Sequence, residues 1–300
     1  MGYFLIHIVT MILIISIFLV GQQLLLFDLG LLCLGSVSFF AGGAYITAVL
    51  SKLGGISPFL SVLISSLSCV MIAIVVGYPL LKYLKKDFFA IATLGLAQAT
   101  LVILRSLAPG GNAGMAGIPP LHSPLNGFIS DSAEGLLIIS IFAGVALWFV
   151  KWIRVRRIGM LTQAVRLDDN ALSILGFNPV FIKLQIFAIS ALMAGSAGAM
   201  QAHYLGVVEP NMSSVFQTVM ILCGTILSGR SSVLGTIMGA SFLIVLPELL
   251  QEWFTRYLGT SWQVFPIVHI IYGLFILIVA VRLFPRKWTS FRYESEVTKC

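Results

Sequence analysis

Nine apolar runs, parted by short polar or Gly/Pro-bearing breaks, dictate the solvent in which this chain must fold. They lie near residues 3–20, 29–50, 58–81, 88–104, 135–150, 184–204, 213–227, 233–250 and 265–281. A helix rises ~1.5 Å per residue, so ~20 apolar residues cross a hydrocarbon core of ~30 Å. Most of the runs reach that length. The run at 213–227 is short and follows Glu209-Pro210, which suits a half-helix or a re-entrant segment. In lipid, a helix satisfies its own backbone within the segment. The expected fold is therefore all-α and polytopic, with about eight to nine transmembrane helices in a single domain over residues 1–300. Composition agrees: 59% of residues are hydrophobic and 10% charged, against ~45–50% and ~25% in soluble domains.

Orientation follows from the cations, which concentrate in cytoplasmic loops. If alternate loops between nine spans are compared, 15 of the 18 Lys and Arg fall on one side, in 82–87, 151–183, Arg230 and the tail from Arg282 to Lys299. Only Lys52, Arg105 and Arg256 fall on the other. This places 151–183 and the C-terminus in the cytoplasm, and the Gly/Pro-rich loop 106–134 outside. The net charge of +7 belongs to the ends of apolar runs and to no single face, which argues against nucleic acid as a partner. The first run has no Lys or Arg before it and is expected to stay as a span, not to be cleaved as a signal peptide. Cys33, Cys69, Cys223 and Cys300 show no metal-binding or disulfide spacing, and no cofactor is expected.

The search for chemistry is largely negative. No phosphate-binding loop of the G-x-x-x-x-G-K-[ST] type and no H-E-x-x-H occurs. Ser196 and His203 share one apolar run, "AGSAGAMQAHY", and raise an intramembrane serine protease as an alternative; the small residues around Ser196 point instead to close helix packing. Asp28 and Glu248 sit at run edges, where anchoring explains them. Thr93, Gln98, Gln217, Thr218 and Thr225 suit either a polar path or bonds between helices. Pairs of buried acids and bases, common in proton-coupled carriers, are not apparent.

One segment stands apart: "GMLTQAVRLDDNALSILGFNP", residues 159–179. Ala164, Leu167, Ala171 and Ile174 recur at helical spacing, and so do Leu161, Val165, Leu172 and Leu175. Asp168 or Asp169 can cap a new turn, Gly176 suits the left-handed position after a helix, and Pro179 forbids continuation. One or two short amphipathic helices are expected, burying a face against the protein's own spans, the lipid surface or a cytoplasmic partner.

Several ordered blocks make the chain resemble the Liv-type (LivM-like) permeases of bacterial ABC importers, a family that includes branched-chain amino-acid and urea permeases. "LGSVSFFAGGAYITAVL" (34–50) resembles the family's Gly-rich second helix. "KDFFAIATLGLAQ" (86–98) is similar to its aromatic-Ala-Ile and Thr-Leu-Gly block, and "PGGNAGMAGIPP" (109–120) to its external glycine loop. Residues 164–178 and "FAISALMAGSAGAMQAHYLGVVEP" (187–210) also follow the family. Ser36 and the block 227–240 depart from it.

The resemblance implies a non-enzymatic transport subunit of the bacterial inner membrane. Its partners would be two cytoplasmic ATPase subunits, a homologous permease subunit and a periplasmic substrate-binding protein. The cargo would be a branched-chain or other amino acid, with urea or an amide as the alternative; a stand-alone channel or proton-coupled carrier is the competing class. The coupling residues would be Ala164, Arg166, Asp168, Asp169, Ala171, Leu172, Gly176 and Asn178. Ala164, Ala171 and Leu172 would fill a groove on the ATPase, and Arg166, Asp168 and Asp169 would orient the segment. Candidate pathway residues are Phe39, Phe40, Tyr45, Thr93, Gln98, Gly110, Gly111 and Gly114.

Overall fold

A computed structural model describes residues 2–121, 131–229, 233–258 and 273. The chain divides into two compact units, Met1–Ala240 and Ser241–Cys300. Ten α-helices appear among the described residues: α1 (Gly2–Gln23), α2 (Ser36–Lys52), α3 (Pro58–Tyr83), α4 (Lys86–Leu107), α5 (Asp131–Val155), α6 (Arg157–Leu167), α7 (Asp169–Ile174), α8 (Pro179–Leu205), α9 (Val215–Ser228) and α10 (Val233–Leu258). Six helical stretches there are long and apolar enough to cross a membrane: Phe4–Leu29, Pro58–Tyr83, Lys86–Leu107, Glu134–Val155, Pro179–Leu205 and Val233–Leu250. The all-α polytopic fold is as expected. α2, with 17 residues, is near the lower limit of a span, and α9 has 14. The run 265–281 lies outside the described residues apart from Gly273.

The first span is longer than its apolar run, because α1 continues as a π-helical turn, Leu24–Leu29. The second helix starts later than its run. Gly30 takes φ +73, a left-handed conformation open to glycine, and ends the turn. Residues 30–35 are not helical, yet several are buried. Their backbone is satisfied from outside: Gln22 Nε2 donates to the Cys33 carbonyl (2.6 Å), and Thr93 Oγ1 accepts from the Leu34 amide (3.1 Å).

α8 is the centre of the first unit, with 61% of its span buried, against 28–33% for α3, α4 and α5. It packs on α1, α2 and α3 through small residues. A Cβ on Gly43 would strike the Gly195 backbone, and one on Gly198 would strike the Phe40 carbonyl. Gly21 lies against Met193, and Gly77 against Phe187. This is how helices associate where lipid tails are as apolar as leucine. Phe187 fills the layer below, edge-on to Phe39 and Phe89 at centroid distances of 5.5 and 5.9 Å. The outer faces of α3 to α5 expose Leu67, Ile91, Ile141 and Val145, as lipid contact requires.

At one end of the first unit a two-residue ladder joins β1 (Met115–Ala116) to β2 (Val207–Val208), pairing Met115 with Val208. Gly114, at φ +75, makes this approach possible, since a Cβ there would collide with the Val208 carbonyl. Lys52 Nζ donates to the Ala116 carbonyl, tying the loop to the end of α2.

Candidate functional site

The polar segment between α5 and α8 folds into a capped helical hairpin. α5 breaks at Arg156, whose backbone is extended (φ −82°, ψ 173°) and whose guanidinium lies 4.8 Å from the Trp152 ring centre. Asp168 then ends α6 and caps α7, its Oδ1 accepting from the Asn170 amide at 2.8 Å. α7 closes in a Schellman motif: the Phe177 amide bonds to the Leu172 carbonyl (3.2 Å) and the Gly176 amide to the Ser173 carbonyl (3.0 Å), with Gly176 at φ +85. Asn178 caps α8 through Oδ1 and the Val180 amide (3.0 Å), and Pro179 occupies the first helical position.

The hairpin has an inner and an outer face. Inward, Thr162, Val165 and Leu172 are buried. Arg166 also turns inward, its Nη1 donating to the Phe27 carbonyl on the π-turn and its stem lying over Gly30. Asp169 pairs with Lys183 in the first turns of α8. Outward, Leu167, Ala171, Ile174, Leu175 and Phe177 are exposed, Ile174 to 87%. Of the predicted coupling residues, Asp168, Gly176 and Asn178 shape the turns, Ala164 is half-buried and Ala171 is exposed. Leu172 faces the spans, so it is not on the surface open to another chain.

Beneath the hairpin lies a charged network that sequence reading missed. Arg154 Nε donates to Asp28 Oδ2 at 2.8 Å, with side chains 13% and 6% exposed. Arg154 Nη2 reaches Gln23 Oε1 (3.2 Å), and Gln23 Nε2 donates to Thr236 Oγ1 (3.0 Å). Asp28 is therefore half of a buried acid–base pair. This corrects both the edge-anchor reading and the expectation that such pairs are missing. The partners are 126 positions apart, so no local spacing announces them. Leu24, Asp28, Arg154, Gly159, Thr162 and Ile186 line a small cavity at the junction.

The pathway candidates do not form one site. Phe40 stacks on Phe18 (5.0 Å) and Phe39 meets Phe187, both within helix packing. Thr93 supports the backbone before α2. Tyr45 lies instead in an outer cluster with Leu104, Met115 and Val208. Gly110, Gly111 and Gly114, all with positive φ, shape the adjoining loop.

The protease alternative loses its geometry. Ser196 Oγ donates to its own helix at the Met193 carbonyl (3.0 Å). His203 meets Ser61 Oγ (3.0 Å) and the Pro119 carbonyl (2.7 Å). Ser61 is fully buried and also donates to the Pro58 carbonyl. These buried groups fasten α3, α8 and the loop at Pro119 together.

Fold and site together define an all-α multi-pass membrane protein with a structured hairpin between two of its spans. The chain belongs to the family described as branched-chain amino acid transport system / permease component, whose sequence model matches residues 4–280. It is 28% identical over 247 residues to the high-affinity branched-chain amino acid transport system permease protein LivM of Escherichia coli, covering 74% of this chain and 58% of the relative. With the LivM protein of Salmonella typhimurium the identity is 29% over 271 residues, covering 82% and 64%. The chain thus spans about three-fifths of the length of these relatives. No solved structure matches.

Proposed function

We propose that this chain is the membrane-spanning subunit of an ATP-driven importer of the inner membrane, carrying a small polar solute, with amino acids the first class to test. Its partners are a homologous permease subunit, two ATPase subunits and a periplasmic binding protein. The chain has no phosphate-binding loop of its own, so in this reading ATP hydrolysis acts through a docked partner. The observation that carries the proposal is the outer face of the hairpin. Leu167, Ala171, Ile174 and Leu175 are exposed on a structure made rigid by two side-chain caps and a Schellman turn. That is the form of a helix that fills a groove on another protein.

The inner face supplies the transmission. Arg166 holds the end of the first span, and Lys183 ties α7 to the start of α8. A load on the exposed tip therefore reaches α1 and α8 directly, and it can bias a two-state arrangement of the spans.

Ile174→Asp combined with Leu175→Asp tests the dock. Both side chains are exposed, so the permease is expected to fold normally while recovery of the ATPase subunits on co-purification falls at least tenfold, or ~1.4 kcal/mol. Undiminished recovery would remove this face as the dock. Asp168→Ala is expected to cost about 1 kcal/mol locally, read as faster amide exchange over 169–174.

A further inference from the structure

Between β2 and α9 the backbone is not α-helical, yet it runs deep. Ser213 Oγ donates to the Ala97 carbonyl at 2.9 Å. α4 ends at Leu107, so at ~1.5 Å per residue Ala97 lies ~15 Å below its outer end, near the middle of a ~30 Å core. α9 has 14 residues and is ~21 Å long. In the orientation that the cations imply, its far end is cytoplasmic. Gly239 sits against Ser228, and Thr236, less than a turn before Gly239, binds Gln23 at the lower end of α1. α9 is therefore a half-helix beginning at mid-membrane. The outer half of its route is β2 and the 3-10 turn Pro210–Ser213.

Acyl chains cannot solvate such backbone; it persists at this depth only inside protein or beside water. This segment is not enclosed. Glu209, Asn211, Val215 and Phe216 are exposed. Two enclosed polar atoms of α2 and α4, the helices that contact this segment, also lack a partner. Gln98 Nε2, on the residue after Ala97, and the Tyr45 hydroxyl are both enclosed without a hydrogen bond among the described residues. Tyr45 is 3% exposed, sits in the cluster against which Met212 packs, and lies within electrostatic reach of Glu209. Both orphan groups are donors.

We infer that the flank from Glu209 to Gln217 lines the water-filled path of the solute, and that the Tyr45 and Gln98 donors enclosed behind it take a water or a carbonyl oxygen of the solute as their missing partner when the path opens. The inference rests on the permease reading. Discontinuous helices with their N-termini near the midplane form solute sites in other transporter folds; here the exposed break and the two unmatched donors assign the place.

The test uses the whole transporter in cells, in a Cys300→Ser background whose remaining cysteines are buried. Val215→Cys is exposed from outside to a membrane-impermeant cationic methanethiosulfonate. Leu67→Cys, on the exposed face of α3 and ~13 Å from its outer end, is the lipid-facing control, and Phe216→Cys is the second variant should the first not fold. The expected result is reaction at least tenfold faster than at Leu67→Cys, slowed by saturating solute, with loss of uptake on modification. Reaction no faster than the control places the flank under lipid or protein and overturns the inference. Fast reaction that leaves uptake intact overturns it too, because the surface is then wet but off the path. Co-purification of the ATPase with the parent chain reports separately on the permease reading.

Discussion

Arg154→Ala is expected to lower the stability of the protein by about 3–5 kcal/mol, the usual cost of removing one partner from a buried ion pair. The Asp28 carboxylate is 6% exposed at its side chain and has its charged contact in Arg154. Without the guanidinium, a buried charge remains and Gln23 loses one of its two side-chain bonds. A buried pair is weak evidence of net stabilisation, since desolvation offsets much of its attraction. Replacing both partners therefore gives a sharper result. Asp28→Leu with Arg154→Met is expected to recover most of the lost stability, because no charge is left in the apolar junction. Thermal unfolding of wild type, both single variants and the double variant closes the cycle. A loss below ~1 kcal/mol in Arg154→Ala would show that water reaches the carboxylate and that the pair is not buried in effect. The double variant also separates fold from function. If the network carries hairpin movement to α1 and α10, the double variant is stable, but the transporter assembled with it has ATPase subunits that hydrolyse ATP with little uptake.

The spans and the hairpin's turns were legible in the sequence for the same reason: both obey local rules. Lipid forces apolar runs into helices, so most of the runs reappear as helices. Asp168, Gly176 and Pro179 act within a few residues of themselves, and the cap of α7, the Schellman turn and the break before α8 fall where they imply; the Asn178 cap of α8 was not anticipated. The orientation of the hairpin was not legible. Its sequence carries two stripes at helical spacing, one through Val165 and Leu172 and one through Leu167, Ala171 and Ile174. Periodicity cannot say which of them meets the spans; contact with α1 and α8 turns the first inward and leaves the second outside. Arg166 is expected from the sequence to orient the segment, but an arginine on a short polar segment gives no sign that its partner is a carbonyl freed by a π-turn. The π-turn leaves no mark in the run it extends. Nor does the pairing of Asp28 with Arg154, which depends on how α1 and α5 meet.

The mid-membrane break before α9 was half legible. The shortness of 213–227 and the preceding Glu-Pro suit either a half-helix or a re-entrant segment. Its depth comes only from the contact between Ser213 and Ala97, and the unmatched donors of Tyr45 and Gln98 only from knowing which polar atoms are enclosed.

Gly198→Val is expected to be the most disruptive single change in the spans that leaves every charge in place. At this crossing α2 and α8 touch backbone to backbone: a Cβ on Gly198 meets the Phe40 carbonyl, and a Cβ on Gly43 meets Gly195. A flexible side chain could swing away, but a helix carbonyl cannot, so the helices must separate. In lipid no hydrophobic force drives them back, because association rests on the packing that the substitution removes. The cost is expected at the upper end of the ~1–3 kcal/mol typical of overpacking, read as a fall in Tm of the detergent-solubilised protein. Gly43→Val should behave alike, and the pair should cost less than the sum, since the first substitution already opens the crossing that the second would strain. Gly42 and Gly144 supply the control. A Cβ at either has open space around it, so alanine there should be neutral or stabilise by up to ~1 kcal/mol through helix propensity. Equal tolerance at Gly42 and Gly198 would mean that the close approach of α2 and α8 does not exist in the membrane. The crossing also joins the two proposed sites, since α2 carries Tyr45 beside the solute flank and α8 rises directly from the hairpin. A wedge at Gly198 is therefore expected to abolish uptake even where the protein stays folded and its ATPase stays bound.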